Sequence, residues 1–153
     1  MYDQHSNFYL RLNEDMRNLA SGKFDEAQRA LVFQTWSPFV ATLVSAIDKL
    51  PAMGEQRVYR GIPDNVSDVY WSGRVVCWST VTSTTTSPGK AYEYAQGGLP
   101  RPAERATVLR ITSFSGRWLG NLSYFPEEAE VVLAPNSRFI VTSKTHRGME
   151  LYW

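Results

Sequence analysis

Cysteine is nearly absent: Cys77 is the only one in 153 residues, so no internal disulfide can form. Lying between Val76 and Trp78, it reads as a buried, inert thiol. Histidine is as scarce. His5 and His146 stand far apart, with no cysteine or carboxylate cluster around them, so no metal site is expected. Charge of either sign is not in excess. With 16 Lys and Arg against 15 Asp and Glu, the net charge of +1 supplies no bulk field for nucleic acid or an acidic membrane, although a cleft can still be locally positive. No stretch reads as apolar enough to span a bilayer. The opening MYDQHSNFYLRLNEDM has no basic patch followed by an apolar run, so no secretory signal is expected. Two glycosylation patterns, Asn65-Val66-Ser67 and Asn121-Leu122-Ser123, are therefore read as chance. Neither a P-loop nor a GxGxxG occurs, which argues against ATP use and against a Rossmann dinucleotide site. The expected setting is a reducing compartment: an intracellular protein, or an effector delivered into one.

What the chain does have is apolar and aromatic content, 43% and 13%, enough for one packed domain. The first third reads as helical. Phe8, Leu10, Leu12, Met16 and Leu19 recur at helical spacing, and Gly22 is a stop. A second helix is expected from Asp25 to Phe33. Ser37-Pro38 reads as a cap with a first-turn proline, opening a third helix through Leu50.

After Gly54 the texture becomes β-like. Strands are expected at Arg57–Arg60, Val75–Thr86, Thr107–Ser113, Arg117–Leu119, Glu130–Leu133, Arg138–Lys144 and Met149–Trp153. A turn is expected at Gly61–Asp64, a helical turn or two at Val66–Ser72, a short helix at Ala91–Gln96 and a loop at Gly97–Pro102. Helices first and strands afterwards indicate an α+β fold.

Three short pieces carry the chemistry. Tyr59-Arg60-Gly61 offers a guanidinium, whose planar fork suits a diphosphate, beside a glycine that lets backbone come close to a ligand. Ser83-Thr84-Thr85 lies in a hydroxyl-rich run and offers a donor that can fix a carboxylate. Glu128-Ala129-Glu130 opens the apolar Val131-Val132-Leu133. In extended backbone, residues two apart share a face, so Glu128 and Glu130 are expected to point into one site. In isolation each piece reads as surface charge or an exposed polar strand. Their order is what adds specificity.

That order resembles the arginine–serine–glutamate class of mono-ADP-ribosyltransferases, over roughly Arg57 to the C-terminus. One departure is Thr85, where the family pattern has serine. Ser79-Thr80 is the other possible register, and Ser83 is preferred because the helix containing Ala91 follows it at the family's interval. The resemblance implies one domain over 1–153, with a helical lobe over about 1–55 packed on a split, mostly antiparallel β-sheet core over about 56–153. It implies NAD as substrate, no metal, and a target protein with an accessible arginine, because glutamate at the first position, Glu128, goes with arginine as acceptor. Glu130 is then the catalytic glutamate, Ser83 its positioning hydroxyl, and Arg60 the diphosphate ligand. Gly61, Thr84 and Thr85 complete the NAD site, with Tyr94 a candidate to stack on nicotinamide. Tyr124 or Phe125 could lie against a target guanidinium. The remaining tryptophans, Trp36, Trp71, Trp118 and Trp153, read as core or lobe contacts. A glycohydrolase using the same cleft and a non-catalytic binding module of the same fold are the alternatives.

Overall fold

A computed structural model of the chain describes residues 7–97, 106–145 and 148–152. The chain divides into two compact units, Met1–Ile47 and Asp48–Trp153.

In the first unit, α1 spans Asn7–Ala20 and α2 spans Glu26–Asp48. Leu12, Trp36 and Ile47 are buried. The Trp36 indole N–H donates to Asp15 Oδ2 at 2.7 Å, and the Phe8 ring stands edge-on to both Trp36 and Phe39. The break expected at Ser37-Pro38 is absent, and α2 runs through Pro38 as one helix of 23 residues. An interior proline costs about 3 kcal/mol through a lost N–H and a clash one turn back. Here the neighbouring hydroxyls stay on the helix: Ser37 Oγ donates to the Phe33 carbonyl at 2.5 Å and Thr42 Oγ1 to the Pro38 carbonyl at 2.9 Å. The same continuity corrects the expectation about bilayer-length segments. By length and composition α2 is sufficient, with a mean hydropathy of 1.5 over an 18-residue window.

The second unit is an eight-stranded sheet in the order β2-β7-β8-β4-β1-β3-β6-β5. The strands are β1 (Gln56–Ile62), β2 (Val75–Trp78), β3 (Thr82–Thr85), β4 (Thr107–Ser113), β5 (Arg117–Trp118), β6 (Glu130–Leu133), β7 (Ser137–Thr145) and β8 (Gly148–Tyr152). All neighbours are antiparallel except β4 and β8. The two halves of the sheet meet at Tyr59↔Thr85 between β1 and β3. Helix α3, Pro88–Gln96, follows β3. Ser87 caps it by accepting the Lys90 N–H, Pro88 fits the first turn, and Gly97 ends it in the left-handed region.

Alternation along β4 buries Thr107, Leu109, Ile111 and Ser113, and a core of Val58, Leu109, Ile111, Val131, Leu133, Phe139 and Val141 lies on the sheet.

Several expectations change. Val75–Thr86 is two strands, β2 at one edge beside β7 and β3 between β1 and β6. The expected turn at Gly61 begins later, since β1 continues through Ile62. Val66–Ser72 holds one turn, closed by the Val69 N–H on the Val66 carbonyl. Cys77 is exposed, because β2 is an edge strand with alternating burial. Trp71 is exposed too, with the Arg74 guanidinium 4.1 Å from its ring centre. Trp118 packs against the core. Trp153, the two histidines and the loop from Gly98 to Pro102 lie outside the described residues.

Candidate active site

Strand register assembles the site. Tyr59 pairs with Thr85, and Thr85 pairs with Glu130, so β1, β3 and β6 bring all three motifs to one transverse row. A cleft of about 290 Å³ is lined by Tyr59, Arg60, Gly61, Ser83, Thr84, Thr85, Tyr94, Glu128 and Glu130. Every residue expected to bind or transform the ligand lines it.

Arg60 Nη1 donates to the Ser83 carbonyl at 2.7 Å, and the guanidinium carbon lies 5.7 Å from the centre of the Trp78 ring. The Trp78 indole N–H is anchored on the Tyr70 hydroxyl at 2.8 Å. The first and second motifs are thus joined directly, with the cation held at the cleft wall. Gly61 serves packing as well as the cleft. A Cβ there would sit 1.9 Å from the Ala91 carbonyl oxygen and 2.6 Å from the Ala95 nitrogen, so only glycine lets α3 lie this close to β1. Ala91 and Ala95 are fully buried on the facing side of the helix.

The hydroxyls of the second motif hold backbone. Thr84 Oγ1 donates to the Val131 carbonyl at 2.7 Å. Thr85 Oγ1 donates to the Glu128 carbonyl at 2.6 Å and accepts the Ser87 N–H at 3.0 Å. Threonine in place of serine therefore retains a hydroxyl with two partners. Ser83 is exposed, and among the described residues its hydroxyl makes no hydrogen bond to Glu130.

Glu128 and Glu130 do not share an extended backbone. Glu128 ends a 3-10 turn, Pro126–Glu128, and Ala129 follows with φ of 47° before Glu130 opens β6. Both side chains reach the cleft because this left-handed residue turns the chain between them. Glu128 accepts a hydrogen bond from the Tyr94 hydroxyl through Oε1. Partial burial, then this bond, then the charges of Glu128, Glu130 and Glu127 push the Tyr94 phenol well above its ordinary value. Tyr94 and Glu128 also line a second cavity with Lys90, Glu93 and Gly97. Tyr124, 82% exposed, meets Phe125 edge-on at the loop carrying the glutamates.

The residue missed in the sequence is Ser123. Its hydroxyl donates to Glu130 Oε2 at 3.1 Å and accepts the Phe125 N–H at 3.2 Å. In the sequence it was visible only as the last residue of a glycosylation pattern. Among the described residues no group of three or more histidines, cysteines or carboxylates converges as a metal site.

The profile of a family described as NAD:arginine ADP-ribosyltransferase matches residues 1–152. Mav of Mycobacterium avium (strain 104), named as an NAD(+)–arginine ADP-ribosyltransferase, is 33% identical over 139 residues, 90% of this chain and 14% of Mav. Vis of Vibrio splendidus (strain 12B01), named likewise, is 29% identical over 108 residues, 68% of this chain and 43% of Vis. This chain thus spans less than half the length of either relative. The crystal structure of Vis in complex with an inhibitor superposes with a TM-score of 0.64 at 25% identity, covering 98% of this chain and 68% of that one. With its whole described length matched by the profile, the chain belongs to the NAD:arginine ADP-ribosyltransferase family.

Proposed function

We propose that this chain transfers ADP-ribose from NAD to an arginine side chain of a target protein and releases nicotinamide, its two compact units acting as one domain. The observation that carries this reading is the cleft lined together by Arg60, Ser83, Tyr94, Glu128 and Glu130. Arg60 holds the diphosphate of NAD through its guanidinium fork. The bond between the ribose C1′ and the nicotinamide nitrogen breaks, and its electron pair leaves with neutral nicotinamide. Glu130 accepts the ribose 2′-hydroxyl and stabilises the positive charge growing on the ring, an interaction stronger in the transition state than in the ground state. A guanidinium nitrogen of the target then bonds to C1′ while Glu128 takes its proton. A positioned base is needed because guanidinium stays protonated in water.

The test uses labelled NAD with agmatine as an arginine mimic, following nicotinamide and ADP-ribosyl-agmatine together. Formation of both in equal amounts is the expected result. Nicotinamide with free ADP-ribose alone would make water the acceptor and turn the reading to a glycohydrolase. No consumption of NAD would leave a binding module.

A further inference from the structure

The glutamate proposed to stabilise the glycosyl cation is held by a hydroxyl that lies outside the three motifs. Ser123 is only 8% exposed, and its two contacts fix the hydroxyl's direction: the Phe125 N–H occupies a lone pair, and the single proton goes to Glu130 Oε2. The backbone is tied at the same place. The Ser123 N–H donates to the Gly120 carbonyl at 3.2 Å, and the Leu119 N–H donates to the Glu130 carbonyl at 3.1 Å. The loop carrying Ser123 is thereby fastened to the first residue of β6 by main chain as well as by side chain. Ser83, the hydroxyl expected in this role, engages Arg60 through its carbonyl instead.

We infer that Ser123 is a positioning residue for Glu130, an inference that rests on the role proposed above for that glutamate. With Oε2 occupied, the carboxylate has one rotamer to prefer, and Oε1 is the oxygen left for the ribose and its charge. Glutamate has three side-chain torsions, so an unheld carboxylate would spend much of its time in unproductive geometries. Ser123 is not among the residues that line the cleft, so it acts through Glu130. Its effect belongs in kcat rather than in binding.

The experiment compares Ser123→Ala, Ser123→Thr, Ser123→Val and Glu130→Gln by nicotinamide release and by calorimetric NAD binding. Ser123→Ala is expected to lower kcat roughly 10- to 100-fold, the worth of a hydrogen bond to a charged group, with KM for NAD changed less than about twofold. Threonine, which keeps the hydroxyl, is expected to recover most of the rate, whereas valine, equal to threonine in shape, is not. That pair carries the test if the alanine variant folds poorly. Wild-type kcat in both Ser123→Ala and Ser123→Val, with Glu130→Gln inactive, would overturn the positioning role and leave the proposed function standing. Equal loss in the threonine and valine variants, with kcat and KM both impaired, would show a merely structural serine and also overturn it. Wild-type turnover in Glu130→Gln would instead overturn the role of Glu130 itself.

Discussion

The Tyr94 hydroxyl donates its proton to Glu128 Oε1, linking helix α3 to the loop that precedes β6. The two residues form the boundary shared by the main cleft and the second cavity. By its place in the helix after the serine motif Tyr94 is a candidate to stack on nicotinamide, whereas its bond aims the polar end at the carboxylate proposed to receive the acceptor's proton. Removing the hydroxyl while keeping the ring separates these roles. Tyr94→Phe is expected to lower the ratio of agmatine transfer to NAD hydrolysis by roughly 5- to 50-fold, as for a lost charge-assisted hydrogen bond. Both products measured in one reaction give the ratio directly. An unchanged ratio would mean that Glu128 is positioned without Tyr94.

The same bond predicts a titration. Tyr94 is raised from the ordinary tyrosine value of 10.0, and so is Tyr70, where burial is the main cause and the bond from Trp78 acts the other way. A phenol with a raised folded value favours the folded state below the unfolded value, and that contribution is lost as pH climbs from there through the raised folded value. Phenolate absorbance in the folded protein should therefore show Tyr94 and Tyr70 ionising above the ordinary tyrosine value. Tyr94→Phe should remove one phenol from that high-pH amplitude and leave the contribution of Tyr70. A high-pH phenolate amplitude undiminished in that variant would contradict the hydrogen bond to Glu128.

How far the sequence could be read follows from which interactions are local. Thr107–Ser113 and Glu130–Leu133 were legible to the residue, because alternation in β4 and a short apolar run in β6 are properties of the segment itself. Val75–Thr86 was not, because its composition is continuous while its partners are not. Trp78 pairs with Ser137 at one end of the sheet and Thr82 with Leu133 in another part of it. Pro38 misled for the opposite reason: a strong local signal was overridden inside α2. That Arg60, Ser83, Glu128 and Glu130 come together in one cleft was readable from motif order. Ser123 was not, since its bond to Glu130 depends on how a loop folds back on a strand.

Gly61 gives a prediction about stability. Alanine there would place a methyl group 1.9 Å from the Ala91 carbonyl oxygen, which the helix backbone can relieve only by moving off the strand. Gly61→Ala is expected to cost about 3 kcal/mol or more, the upper range for overpacking, seen as a lower urea midpoint with the slope retained. NAD affinity should fall with it, because α3 carries Tyr94. A wild-type midpoint would show that α3 and β1 are not in the contact described.

The two glutamates should be separable by their amides, which keep shape and remove charge. Glu130→Gln removes the negative charge opposite the developing cation, so nicotinamide release should fall by about a hundredfold or more whether or not an acceptor is present. NAD binding, proposed to rest on Arg60 and the cleft walls, should change only a few-fold by calorimetry. Glu128→Gln leaves the cation stabilised and removes the base, worth about 10²–10⁴-fold in rate, so agmatine transfer should collapse while NAD hydrolysis continues. The left-handed Ala129 turns the chain between the two side chains, so each change should leave the other carboxylate in place. The contrast lies between the variants: hydrolysis lost in one and kept in the other. Equal loss of hydrolysis and transfer in both would mean that the carboxylates act as one unit, and the division of labour between them would have to be abandoned.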